Sequence, residues 1–99
     1  MFLVRDIMYC KPGNARPMVQ KFLAMSKLLQ QMGMGSMRVM TDVSAERYWT
    51  VVAEMDVKSL EEFTEMSRTA SASKEFQDVM KGYHDLIDQG RREIYMLET

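Results

Sequence analysis

His84 is the one side chain in this chain of 99 residues that ordinarily changes charge near neutral pH, so it is the candidate catalytic acid–base. The apolar spacing of Phe76, Val79, Met80, Tyr83, Leu86 and Ile87 predicts a helix over Lys74 to Asp88. On that helix His84 falls at the edge of the apolar stripe, where it faces a pocket or its wet rim. Asp85 is its neighbour in sequence, but adjacent helical residues diverge by about 100°, so the two form no dyad. Tyr9 and Tyr83 offer hydroxyl donors, and Trp49 offers an aromatic wall for a planar ligand. These three are the candidate pocket residues, and each serves equally well as a packed ring. Cys10 is followed by Lys11 but has no base in view, which favours an inert, half-buried thiol. One histidine and one cysteine cannot supply the usual four-ligand zinc site, and no glycine-rich nucleotide loop is present. No metal or cofactor is expected.

The composition narrows the partners. Net charge is −1, without a basic cluster, which disfavours nucleic acid. No apolar run approaches the roughly 20 residues of a membrane span. The beginning of the chain does not read as a charged leader followed by an apolar block, so no signal peptide is expected. A lone cysteine fits a reducing, cytoplasmic setting. Twelve methionines are unusual. Methionine replaces leucine in cores and also lines soft, adaptable pockets.

A chain of this size makes one domain, residues 1–99, with a modest core that pairing with a second copy would extend. The elements that position the candidate residues follow from local pattern. Phe2 to Cys10 reads as a central strand, because both of its alternating sets are mostly apolar. Lys11-Pro12-Gly13-Asn14 makes a turn, with Asn14 as N-cap and Pro17 in the first turn of a helix. Met18, Phe22, Met25, Leu29 and Met32 form that helix's stripe, and Gly33 ends it. Met37 to Val43 and Tyr48 to Met55 form a hairpin, in which Trp49, Val51, Ala53 and Met55 share the face turned to the helices. Ser59-Leu60-Glu61-Glu62 is a capping box that starts a helix carrying Leu60, Phe63 and Met66. Arg68 to Ser73 reads as a loop, Gly90 as the stop of the last helix, and Arg92 to Leu97 as the last strand. Arg5, Asp6, Arg38, Asp42, Glu54, Arg92 and Glu93 are strand charges expected to pair across strands, the alternative being a buried cluster that binds an anionic ligand through arginine.

The order β-α-β-β-α-α-β, the strand–Lys11-Pro12-Gly13–helix opening and the step from a Trp-bearing strand into Val57-Lys58-Ser59-Leu60-Glu61-Glu62-Phe63 resemble the dimeric α/β-barrel superfamily. That superfamily includes NIPSNAP-like proteins, antibiotic-biosynthesis monooxygenases and heme-degrading monooxygenases. The resemblance implies an α+β, ferredoxin-like βαββαβ antiparallel sheet in the order 4-1-3-2, with an extra helix before the last strand. It also implies a homodimeric barrel closed through the open sheet face, and a pocket between sheet and helices. Heme-degrading members place an Asn, a Trp and a His in that pocket. Here Trp49 and His84 are present, but the first strand has no Asn and His84 lies far along the chain, so heme is disfavoured.

Two functions stay open on this reading. One is a cofactor-independent, monooxygenase-like enzyme acting on a small aromatic or polyketide-like substrate, with His84 or a tyrosine moving the proton. The other is a dimer that binds a small apolar molecule, or plays a structural or interaction role, without turnover.

Overall fold

A computed structural model describes all residues, Met1–Thr99. The elements are β1 (Phe2–Cys10), α1 (Ala15–Gln31), β2 (Arg38–Thr41), β3 (Thr50–Val57), α2 (Leu60–Ala72), α3 (Lys74–Met80), a 3-10 turn (Tyr83–Leu86) and β4 (Ile87–Met96). The four strands form one antiparallel sheet in the order β2-β3-β1-β4. Read from the other edge this is 4-1-3-2, the ferredoxin-like order that the resemblance implies, and an extra helix precedes β4. No helix is long and apolar enough to cross a membrane.

The pleat divides the strands into two faces. Val4 pairs with Met55 and Asp6 with Ala53 across β1 and β3, so these residues share a face. The helices pack on that face. One cluster joins Cys10, Val51 and Ala53 to Met18, Val19 and Phe22 of α1. A second joins Val4, Met55 and Val57 to Leu29 and Phe76. The opposite face carries Leu3, Arg5, Ile7 and Tyr9 of β1, Val52 and Glu54 of β3, and Arg91, Glu93 and Tyr95 of β4. No helix covers it.

Several local expectations change. The second strand is only Arg38–Thr41 rather than Met37 to Val43, and the last begins at Ile87 rather than Arg92. β3 begins at Thr50 rather than Tyr48, because Trp49 adopts a left-handed backbone (φ 61°) that an extended strand cannot contain. Trp49 therefore leaves the apolar row, while Val51, Ala53 and Met55 of that row are buried as expected. The segment Arg68 to Ser73 is helical up to Ala72, since Met66 and Ala70 continue the spacing begun by Phe63 and pack on the second cluster. The expected helix over Lys74 to Asp88 stops at Met80, because Gly82 takes a left-handed conformation (φ 81°) that only glycine adopts at low cost. Gly90 is accordingly no helix stop. It lies inside β4 opposite Met8, whose sulfur would stand only 3.0 Å from a Cβ added there.

Caps and ion pairs fix the element ends. Ser59 Oγ accepts the Glu62 amide at 3.1 Å, and the Glu62 carboxylate accepts the Lys58 amide at 2.8 Å. The box thus closes one residue earlier than the standard return to the cap residue itself. Asn14 precedes α1 without a side-chain cap. Lys21 of α1 donates to the carbonyls of Val79 (3.1 Å) and Lys81 (2.8 Å), and so holds the end of α3. On the open face Arg5 and Arg38 both pair with Glu54, at 3.0 and 3.1 Å.

Candidate functional site

A cavity of about 470 Å³ lies between the sheet and the helices. Its size falls in the range of small-molecule pockets. Methionines dominate the wall: Met25 from α1, Met37 ahead of β2, Met55 from β3, Met66 from α2 and Met80 from α3. Leu29, Phe63, Ala70 and Phe76 complete the apolar surface, and Ser67, Ser71 and Gln77 add polar groups from α2 and α3. Gln77 is held by donating its amide to the Ser71 carbonyl at 2.9 Å.

Each wall follows from local sequence. Met25 and Leu29 sit one turn apart on the inner stripe of α1. Phe63, Met66 and Ala70 are the inner stripe of α2, a helix with no fully buried residue. α2 therefore roofs the cavity without sealing it.

Only two charged residues line this space, Asp6 and Arg92. They are register partners on the helix-facing side of β1 and β4. Arg92 Nε donates to Asp6 Oδ1 at 2.7 Å and Nη2 donates to Oδ2 at 3.2 Å. The Arg92 guanidinium also stands 5.0 Å from the Phe63 ring centre, a cation–π contact with α2. The hydrogen bond to Asp6 is the main reason the guanidinium holds its proton more tightly than usual, against an opposing effect of burial.

Of the four site residues singled out in the sequence, only the neighbours Tyr83 and His84 come together, and none of the four lines the cavity. His84 and Tyr83 stack on each other, ring centres 4.0 Å apart, in the 3-10 turn before β4. They line a shallow depression beside the cavity and share Asp6 and Arg92 with it, so the ion pair stands between His84 and the methionines. His84 is exposed because Gly82 turns the chain off the α3 axis before His84 is reached. Tyr9 lies on the opposite sheet face. There it is buried under Arg47, whose guanidinium sits 4.2 Å over the ring, and it lines a separate hollow with Arg5 and Arg91. Trp49 is 43% exposed just ahead of β3 and does not line the cavity. The Cys10 thiol is buried, and desolvation, followed by the charges of Asp42 and Asp88, pushes its pKa above the ordinary 9.0. It is protonated and inert at neutral pH. No group of His, Cys, Asp or Glu side chains is arranged to hold a metal ion.

Asp6 and Arg92 pair across strands as expected, but their place among the methionine walls of the cavity is what sequence reasoning passed over. Its signals were present as one charge in each apolar set of β1 and as methionines repeated on helix stripes. Nothing local linked Asp6 to a residue 86 positions away.

Known structures share this architecture over the whole chain. An uncharacterized NIPSNAP-like domain protein from Burkholderia xenovorans superposes with a TM-score of 0.82 at 18% identity, over 99% of this chain and 85% of that one. A NIPSNAP family protein from Agrobacterium tumefaciens gives 0.81 at 14% identity, over 99% and 92%. The fold is that of the NIPSNAP-like proteins. An antibiotic biosynthesis monooxygenase also matches, with a TM-score of 0.74 at 11% identity over 100% of both chains. At these identities the likeness carries the fold alone. Neither a family model nor a curated protein matches the sequence.

Proposed function

We propose that this chain is a small-molecule-binding protein that takes an apolar ligand between its sheet and its helices. One observation carries the reading: a cavity of about 470 Å³ whose wall is mainly methionine, leucine and phenylalanine, roofed by a helix with no fully buried residue. Unbranched, polarizable methionines adapt to a ligand's outline at low cost. The lining holds no histidine, tyrosine or cysteine. Its one carboxylate, Asp6, is engaged by Arg92 through both oxygens. Binding without turnover is therefore favoured over an oxygenase-like reaction, which needs a free proton-transfer group within hydrogen-bond reach of the ligand.

The protein acts as a homodimer through the open sheet face in this reading. The support is that this face stays uncovered by helices and mixes apolar side chains (Leu3, Val52) with cross-strand ion pairs. Such a surface suits a partner sheet better than bulk water. A buried free thiol and the absence of any disulfide agree with a cytoplasmic setting.

The test is uptake of N-phenyl-1-naphthylamine, which fluoresces in apolar surroundings. The wild type binds it at a stoichiometry of one per chain, and Ala70→Phe, which fills the cavity from the α2 side, binds at least about tenfold more weakly at unchanged fold. Uptake that Ala70→Phe leaves unaltered places the probe elsewhere and overturns the reading. Sedimentation at micromolar concentration tests the dimer, and a stable monomer refutes it.

A further inference from the structure

Arg92 has five N–H donors in a fixed planar fork. Asp6 takes two of them, from Nε and Nη2. The remaining three have no protein acceptor, and Arg92 lines the cavity. The guanidinium cannot swing freely, since Asp6 grips one edge and Phe63 lies beside its face. The cavity thus has an oriented set of donors at the one charged point of a mostly apolar wall, whose other polar groups, Ser67, Ser71 and Gln77, come from α2 and α3.

The charge of that point decides what it accepts. Asp6 and Arg92 together are neutral, and the lining offers no second cation. An anionic ligand group placed here meets one guanidinium already neutralised and a carboxylate that repels it. A neutral acceptor meets neither penalty and gains a charge-assisted hydrogen bond. A hydrocarbon seated against Arg92, which is half-exposed, displaces water from its free donors and offers no acceptor in return.

We propose that the Asp6–Arg92 pair is the recognition element of the cavity, and that its ligands are neutral apolar molecules bearing one hydrogen-bond acceptor, such as a ketone or ester carbonyl, seated on the free edge of Arg92. This rests on the cavity being a binding site, as proposed above.

The test uses three compounds that share a heptyl chain and differ at one end: methyl heptyl ketone, its isosteric alkene with methylene in place of oxygen, and octanoate. Each competes with N-phenyl-1-naphthylamine on the wild-type protein. The expected order is ketone first, with the alkene and octanoate each about tenfold weaker. In Asp6→Leu/Arg92→Met, which removes both charges and leaves Ser67, Ser71 and Gln77 as the polar lining, the ketone loses its advantage over the alkene. Equal affinities for ketone and alkene in the wild type overturn the recognition role, as does octanoate binding tightest. Failure of all three compounds and of the fluorophore to bind overturns instead the binding function on which the inference rests. The wild-type series needs no substitution, so the inference stays exposed to refutation if the double variant does not fold.

Discussion

Asp6 and Arg92 stand opposite each other in the β1–β4 ladder and are joined by two hydrogen bonds, of 2.7 and 3.2 Å, on the sheet face that the helices cover. Every other charged residue on β1 and β3 points to the open face or lies at an edge, as Arg5 and Glu54 do. A charge pair on the core side of a sheet has to satisfy its own hydrogen bonds. This one does so only in part: Arg92 keeps donors without a protein acceptor and lines the cavity, which suits recognition more than stability.

The pair contributes little to folding. Its side chains keep 24% and 51% of their exposure, and half-exposed pairs contribute about 1 kcal/mol or less. Asp6→Leu/Arg92→Met is therefore expected to melt within about 8 °C of the wild type. A larger loss in thermal denaturation shows that the pair holds β4 to the sheet.

His84→Ala is expected to leave affinity for N-phenyl-1-naphthylamine within about twofold, because His84 lies outside the cavity wall and beyond the ion pair. A tenfold loss would put the histidine inside the binding site.

Ser59→Ala removes the acceptor for the Glu62 amide at the start of α2. A lost N-cap costs about 1 kcal/mol. Since α2 packs on the body only through half-buried side chains, the effect is expected first as faster amide hydrogen exchange in Leu60–Ala72. Uniform loss of protection across the chain contradicts a locally held roof.

Cys10 gives the pH dependence. The folded state holds the thiol proton above the ordinary value of 9.0, while the unfolded chain releases it near that value. The unfolded state thus binds fewer protons as pH rises, and the thiol's contribution to stability, complete below 9.0, is lost as pH climbs toward the folded pKa. Urea unfolding of wild type and Cys10→Ala at pH 8 and pH 10 checks this. The wild type is expected to lose more stability than the variant between the two, and equal losses refute it. Iodoacetamide modification at neutral pH is expected only at the rate of unfolding.

The element order and both core faces were legible because they rest on period-two alternation and on one long amphipathic helix, whereas the strand order came only from the resemblance to the dimeric α/β-barrel superfamily. Val51, Ala53 and Met55 align, and so do Met18, Phe22 and Leu29. The errors fell where single residues redirect the chain. Gly82 and Gly90 look alike in sequence, but one ends α3 and the other lies in a strand against Met8. Trp49 resembles a strand residue in type and turns the chain instead. Each choice is made by tertiary packing, which local pattern does not encode. The site followed the same rule. Methionines on separate stripes were readable as apolar faces, but their meeting around one ion pair depends on β1 and β4 lying side by side.

The most direct test of the binding cavity is NMR of the ε-methyl groups of the 12 methionines. Titration with methyl heptyl ketone is expected to shift Met25, Met37, Met55, Met66 and Met80, which line the cavity, and to leave the exposed Met1, Met32, Met40 and Met96 in place. Shifts confined to the exposed methyls, or no saturable shift in the five lining ones, contradict the account.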